Sequence, residues 1–363
     1  MAPPQPLEFP IQPKLGHSIG VFLCSQLFRT PAYPTNSFAG QTVIVTGSNA
    51  GLGLEAARHF YRLGAARLIL AVRTVSKGQA AKEDIARSIT SQTDADSIEV
   101  WPLDQSSTPS TLAFAERVRT GLPRVDVVVL NAGLNNPTFQ LSDEGYEQTV
   151  QVNVLNTFLL ALALLPKLNH TKANFSDSTP HLTVISSEAH RLTSFPEINA
   201  PDLYAKLNEE RAYAQQPRYQ VSKLLEVLLV RELVARLKLK SAAASESESN
   251  SNNKAPPVII NLVNPGLCNS TLGSSPDAKP PSLLVRLLRG VLDRTTEVGA
   301  RTYVLAASAL AGSHGEFQSD GLNQEVEAWI YTDVGRRVQR KVWEQTVRVL
   351  EARRPGILEG VGL

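Results

Sequence analysis

Tyr219-Gln220-Val221-Ser222-Lys223 opens an apolar helical stretch, VSKLLEVLLVRELVARL. Tyr219 and Lys223 stand at i and i+4, so a helix presents both on one face. An ammonium beside a phenol favours the phenolate and lowers its pKa by roughly 1–3 units. That moves a tyrosine toward proton transfer near neutral pH. Such a pair alone is usually structural, so its surroundings decide. Ser186 and Ser187 follow the apolar run HLTVI, where a hydroxyl can orient a substrate carbonyl. Asn153 sits in QTVQVNVLN between Val152, Val154 and Leu155. An amide among apolar neighbours in mid-helix is unfavourable unless bonded. It could hold a water that links to Lys223.

A second group of residues suits a phosphate. Residues 46–53 read TGSNAGLG, between the apolar run Thr42-Val43-Ile44-Val45 and a helical pattern. Gly47 permits a sharp turn, Gly51 lets backbone approach a diphosphate, and Gly53 lets helix pack closely on strand. The helix N-terminus adds unpaired N–H groups and a favourable dipole. The spacing is Gly-x-x-x-Gly-x-Gly, which differs from the general dinucleotide fingerprint. The next strand ends in Val72-Arg73, where NAD-binding folds usually place an acid. A guanidinium there can bind a 2′-phosphate, and Lys77 adds a second cation, so NADP is expected over NAD. Asp104 ends a third strand, either facing an adenine amine or capping the next helix. Asn131-Ala132-Gly133 ends a fourth, where Asn131 bonds backbone or ribose; a plain turn reads equally well.

These residues need a scaffold that gathers strand ends. Strands are expected at 42–46, 67–72, 97–101, 125–130, 181–186 and 258–263. Helices are expected at 52–63, 76–90, 109–121, 144–168, 212–240, 296–311 and 333–353. Near-continuous apolar strands alternating with helices predict a doubly wound, Rossmann-like parallel sheet. It forms a single α/β domain over 38–312, after an N-terminal extension 1–37 and before a C-terminal segment 313–363. Residues 169–180 read as a polar loop and 241–257 as a disordered insert. The stretch 272–295 reads as a substrate lid or a packed surface helix.

Composition limits the partners. Lys and Arg number 36 against 34 acids in 363 residues, a net charge of +2. Nothing there favours nucleic acid or an acidic membrane. Two cysteines, Cys24 and Cys268, cannot build a disulfide framework and fit a reducing, cytoplasmic compartment. No apolar run reaches the roughly 18–20 residues of a spanning helix, and the longest stops at Pro166. Residues 18–28 are expected to pack against the protein's own body rather than lie on a membrane. The sequons at Asn169, Asn174 and Asn269 would matter only in a secreted chain.

Taken together, Thr46-Gly47-x-x-x-Gly51-x-Gly53, Asn131-Ala132-Gly133, Asn153, Ser187, Tyr219-x-x-Ser222-Lys223 and Asn264-Pro265-Gly266 resemble the classical short-chain dehydrogenases/reductases. The resemblance covers roughly residues 38–312. Val72-Arg73, Ser186-Ser187-Glu188-Ala189-His190 and Pro265-Gly266-Leu267-Cys268 look closest to the retinol-dehydrogenase-like branch. LNAG, SKLLEVLLVREL and NPGLCNS are similar to fungal members, many of which serve secondary-metabolite pathways.

The resemblance implies that Tyr219 is the general acid or base and that Lys223 lowers its pKa and bonds the nicotinamide ribose. It implies that Ser187 holds the carbonyl oxygen and Asn153 anchors a relay water. Pro265, Gly266 and Ser270, or else Thr271, would meet the carboxamide, and Leu52 would touch the cofactor through its backbone. His190, in the extension before Tyr219, is expected to be structural. The extension 190–218 and the lid would shape the substrate pocket, and a homodimer is consistent with many relatives. The expected function is NADP(H)-dependent interconversion of a carbonyl and an alcohol on a secondary metabolite, polyketide- or terpenoid-like. The rivals are a non-catalytic NADP-binding regulator and a retinol-, steroid- or lipid-type alcohol dehydrogenase. An epimerase or dehydratase is disfavoured by the glycine spacing.

Overall fold

The computed structural model describes residues 7–90, 92, 94–245, 255–273 and 283–363. Most of the expected 241–257 insert, residues 246–254, lies outside the described residues, as do 274–282 of the expected lid. In chain order the elements are α1 (Leu15–Phe28), β1 (Thr42–Thr46), α2 (Gly51–Arg62), β2 (Arg67–Val72), α3 (Val75–Ser88), β3 (Ile98–Pro102) and α4 (Thr108–Gly121). There follow β4 (Val127–Leu130), α5 (Gln148–Val150), α6 (Thr157–Asn174), β5 (His181–Ile185), α7 (Leu203–Leu207), α8 (Gln215–Ser245) and β6 (Ile259–Asn264). The last are α9 (Leu283–Leu292), α10 (Thr296–Ala306), β7 (Phe317–Ser319), β8 (Leu322–Gln324) and α11 (Asp333–Arg353).

Among the described residues one sheet runs β3-β2-β1-β4-β5-β6-β7-β8. All pairs are parallel except β7 with β8. The strand order reverses at β1 and β4, and a crevice opens beyond their C-terminal ends. Alternation explains the apolar strands. Ile44 and Val128 pack with α4, α6, α8 and α11, while Val43, Val45, Val127 and Val129 pack with α2, α3 and α10. Both faces are covered, so neither set of side chains can be polar. The parallel, helix-flanked sheet is the expected α/β architecture.

Three local expectations need correction. The helix expected from residue 144 starts at Gln148, because the buried Glu147 carboxylate accepts from Thr149 N and Val150 N at 2.9 and 3.1 Å. It then runs as a π-helical turn over Gln151–Asn156 into α6. It passes through Pro166 and beyond the expected end at 168, so 169–174 of the expected loop are helical. A helix-interior proline costs about 3 kcal/mol. Burial of Leu164, Leu165 and Leu168 offsets this at roughly 1.5–3 kcal/mol each. Thr171 locks the end, accepting from Val125 N at 2.9 Å. The continuous segment Gln148–Asn174 is consequently long and apolar enough to cross a membrane, but 89% of its apolar window is buried inside the protein. It is the core helix. Third, the sheet continues past β6 into β7 and β8, whose three residues each are too short to show a period.

Candidate active site

A cavity of about 760 Å³ lies beyond the ends of β1, β4, β5 and β6. Its phosphate end is built from β1, α2 and β4. Thr46 Oγ1 accepts from Asn131 N and Ala132 N, and Asn131 Nδ2 donates to Thr46 O at 2.7 Å. Asn131 therefore spends its amide on backbone and ties the glycine loop to β4. Gly47 has φ +66°, and a Cβ on it would meet Ala132 Cα at 3.0 Å. A Cβ on Gly53 would lie 2.6 Å from Gly47 O, so only glycine fits. Gly51 is needed for its left-handed φ of +58° instead, since a Cβ there would project into open space beside the cavity.

The N-terminus of α2 has Ala50 as its cap residue, with no side chain bonded to the first turn and no acid near it. Its N–H groups and dipole are left for an anion supplied from the cavity. Arg73 borders the cavity, is exposed, and has no hydrogen bond or ion pair with other described residues. Lys77 is exposed on the first turn of α3 and is not brought into the cavity wall. Asp104 lines the cavity and accepts from Ser106 N at 2.9 Å; the cap of α4 is Ser107 instead. These features fit a phosphorylated dinucleotide.

The reacting end is built by β5 and α8. Ser187 and Tyr219 both line the cavity, and Ser187 Oγ accepts from Ala189 N at 3.2 Å. Ser186 turns the other way and donates to Lys223 O at 3.2 Å. Lys223 Nζ lies 5.6 Å from the centroid of the Tyr219 ring and donates to Ile185 O and to Glu226 Oε1 at 2.9 and 2.8 Å. The i, i+4 spacing suggests a depressed phenol pKa, and the geometry reverses the sign. Burial raises Tyr219, Lys223 lowers it, Glu226 raises it and Ser187 lowers it, and the net direction is upward. Before a cofactor binds, Tyr219 is therefore a firmly protonated phenol, the form an acid must have.

Asn153 falls in the π turn, a frequent marker of functional sites. Its oxygen accepts from Leu134 N at 2.7 Å, and its nitrogen donates to Leu134 O and Ser222 Oγ at 2.9 and 3.0 Å. The expectation that a polar group there must be bonded is met by protein atoms. Both side-chain N–H groups are used within the protein, and the side chain joins Leu134, after the Asn131-Ala132-Gly133 turn, to Ser222 of α8. Asn264 fixes the Pro265-Gly266 turn by donating to Ser319 Oγ at 3.0 Å. Pro265, Gly266, Ser270, Thr271 and Leu52 all line the cavity. His190 is buried, with Nδ1 2.7 Å from Ser187 O and its pKa pushed down to about 3 by burial, as a structural histidine requires.

Sequence reasoning missed α1 as part of this site. Ser18, Ile19 and Phe22 line the cavity. Gln26 donates to Leu267 O and Leu292 O at 3.0 and 2.7 Å, and Arg294 joins Ser25 O at 2.9 Å to Asp320 at 2.7 Å. The segment meets the body over the reacting end through its polar side, with Ser18 and Ser25 buried, while Ile19, Leu23, Leu27 and Phe28, the apolar residues expected to pack, are exposed. The 190–218 extension contributes less than expected, with only Leu192 and Gln216 at the wall. Phe195, Ile198, Leu203 and Tyr204 are buried in the core instead, and Tyr204 Oη meets Thr346 Oγ1 of α11 at 2.6 Å. Because Phe22 offers an aromatic wall to the cavity and no polar group to a phosphate, Phe22→Ala should raise the KM for a bulky carbonyl substrate several-fold and leave the NADPH Kd unchanged. Parallel steady-state and cofactor titrations check this.

The family profile described as short chain dehydrogenase matches residues 41–190. The chain is similar to the short chain dehydrogenase/reductase dmxR8 of Cryptosporiopsis sp., 42% identical over 93% of this chain and 98% of that protein. It belongs to the short-chain dehydrogenase/reductase family. Among other short-chain dehydrogenases/reductases, anuD of Penicillium roqueforti is 38% identical over 93% of this chain and 84% of that protein. The family is one of oxidoreductases that bind a nicotinamide cofactor. A protein from Mycobacterium paratuberculosis has a similar fold, with a TM-score of 0.58 and 26% identity over 88% of this chain and 98% of that one. A short-chain dehydrogenase from Shigella flexneri, crystallised with NADP, has a TM-score of 0.52 and 21% identity over 80% of this chain and 100% of that one; that likeness is one of fold.

Proposed function

We propose that this short-chain dehydrogenase/reductase uses NADP(H) to interconvert a carbonyl and an alcohol. One observation carries the reading. Tyr219, backed by Lys223, faces the same cavity as Ser187 and the uncapped N-terminus of α2. The N-terminus of α2 and Arg73 would hold the phosphates of a nicotinamide cofactor, which would supply or take the hydride. In reduction Ser187 and Tyr219 hold the carbonyl oxygen, and Tyr219 gives it a proton as charge develops. Lys223 keeps a positive charge beside the resulting tyrosinate. In oxidation the proton moves the other way.

Arg73 supports NADP(H), standing without a partner among the described residues at the end of β2 where an acid would repel a 2′-phosphate. Arg73→Asp should raise the NADPH Kd at least about tenfold and narrow the preference over NADH. Fluorescence titration with both cofactors measures this, and an unchanged ratio would remove Arg73 from the cofactor argument. The substrate proposed is a secondary-metabolite intermediate, polyketide- or terpenoid-like. Apolar walls from Phe22, Leu134, Val152, Leu192 and Leu272, with Asn135, Gln216 and Gln220 among them, suit an oxygenated hydrophobic molecule. Screening such carbonyl compounds for NADPH oxidation tests the reading. A reducing, cytoplasmic setting is proposed from the two free thiols, Cys24 and Cys268.

A further inference from the structure

Behind the Tyr-Lys pair α8 carries a third polar group, Glu226. It stands three residues past Lys223 and seven past Tyr219, so all three lie along one stripe of the helix. Its neighbours Leu224, Leu225, Val227, Leu228 and Leu229 are core residues, and Glu226 itself is 4% exposed. A carboxylate is rarely buried this far without a charged partner. The partner is Lys223, with Nζ 2.8 Å from Glu226 Oε1. Oε2 makes no hydrogen bond within the protein.

We infer that Glu226 is a positioning residue for the reaction, holding the Lys223 ammonium in place and setting the proton affinity of Tyr219 through its own charge. The inference rests on the reading of Tyr219 and Lys223 as the proton-transfer pair. Its physical basis is a three-body balance. Burial lowers the pKa of Lys223, and Glu226, followed by Tyr219, reverses that direction. The same negative charge opposes a second one on Tyr219. Burial raises Glu226 itself to about 7 against the pull of Lys223.

The titratable groups coupled to Glu226 are few. Lys223 and Tyr219 share its helix, and Tyr303 faces it from α10. The turn 188–192, which also packs on α8, carries Glu188 and Arg191, which pair with each other, and His190, which bonds Ser187 O. α11 meets α8 at Glu232 through Gln339. β5 supplies only the Ile185 carbonyl to Lys223, and β6 presents Asn264 to Ser319 and Glu188.

The sign follows. With Glu226 ionised, forming tyrosinate places a second negative charge near the first, so Tyr219 keeps its proton to higher pH. Glu226→Gln retains an oxygen for Lys223 but not the charge, and Tyr219 then ionises at lower pH by about one unit. Tyrosinate absorbance of the cofactor-free protein reads this directly, with the Tyr219→Phe difference isolating the one phenol. In NADPH-driven reduction of quinones and aromatic ketones, the alkaline limb of kcat/KM should move down by a similar amount. Glu226→Asp, which keeps the charge, should restore the wild-type limb. Coincident titrations and pH profiles for wild type and Glu226→Gln would overturn the inference. If Tyr219→Phe still turned over, the functional reading would fail instead, so the two failures are distinct.

Discussion

Tyr219→Phe is expected to lower kcat for carbonyl reduction by about 10²–10⁴-fold and to leave NADPH binding nearly unchanged. Phenylalanine keeps the ring that packs beside Lys223 Nζ, at 5.6 Å from the centroid, and removes only the hydroxyl. The proton then has no donor at the cavity wall. Ser187 remains to orient the carbonyl, but a serine hydroxyl is a much poorer acid. A parallel loss in kcat and kcat/KM marks an interaction made only in the transition state. Thermal melting separates this from unfolding, since no core contact is lost.

Gly53→Ala should abolish most cofactor affinity, with the NADPH Kd rising at least about tenfold, or about 1.4 kcal/mol. The new Cβ would fall 2.6 Å from Gly47 O and within clash distance of Asn131 Nδ2. Either the glycine loop or Asn131 has to move, and Asn131 is what ties Thr46 and Gly47 to β4. Overpacking of this kind typically costs 1–3 kcal/mol, so Tm should fall by a few degrees as well. Gly312→Ala is the control. A Cβ there meets nothing within 4 Å, and the residue has no left-handed φ. It should leave both Kd and Tm where they were.

Much of the fold was legible because buried parallel strands have a simple signature. VIV in β1 and VVVL in β4 are apolar at successive positions, and each lies between two covered faces. The short strands β7 and β8 gave no such signal, because three residues define neither a period nor a face. The helix expected to end at 168 runs on to Asn174, where the polar residues 169–174 gave no sign of it; burial of Leu164, Leu165 and Leu168 carries it past Pro166.

The site residues were legible where spacing alone places them. Tyr219 and Lys223 follow from the helical period, and the glycine loop from its position after β1. What spacing could not supply was environment. The phenol pKa is raised rather than lowered because burial and Glu226 outweigh Lys223, and neither is visible in an i, i+4 pattern. Glu226 did leave a trace, an acid inside LLEVLLV, the same kind of signal that pointed to Asn153. The placement of α1 over the reacting end depends on long-range bonds, from Gln26 to Leu267 and Leu292 and from Arg294 to Ser25. Contacts more than two hundred residues apart leave no pattern in either segment.

Hydride transfer is the central claim, and isotope transfer tests it most directly. NADPH deuterated at the transferable position would be incubated with the protein and a panel of polyketide- and terpenoid-like ketones, and the products analysed by mass. A carbonyl-reducing site predicts an alcohol carrying deuterium at the former carbonyl carbon, lost in Tyr219→Phe. Tight NADPH binding with no labelled alcohol from any ketone would contradict it and favour a cofactor-binding regulator on the same fold.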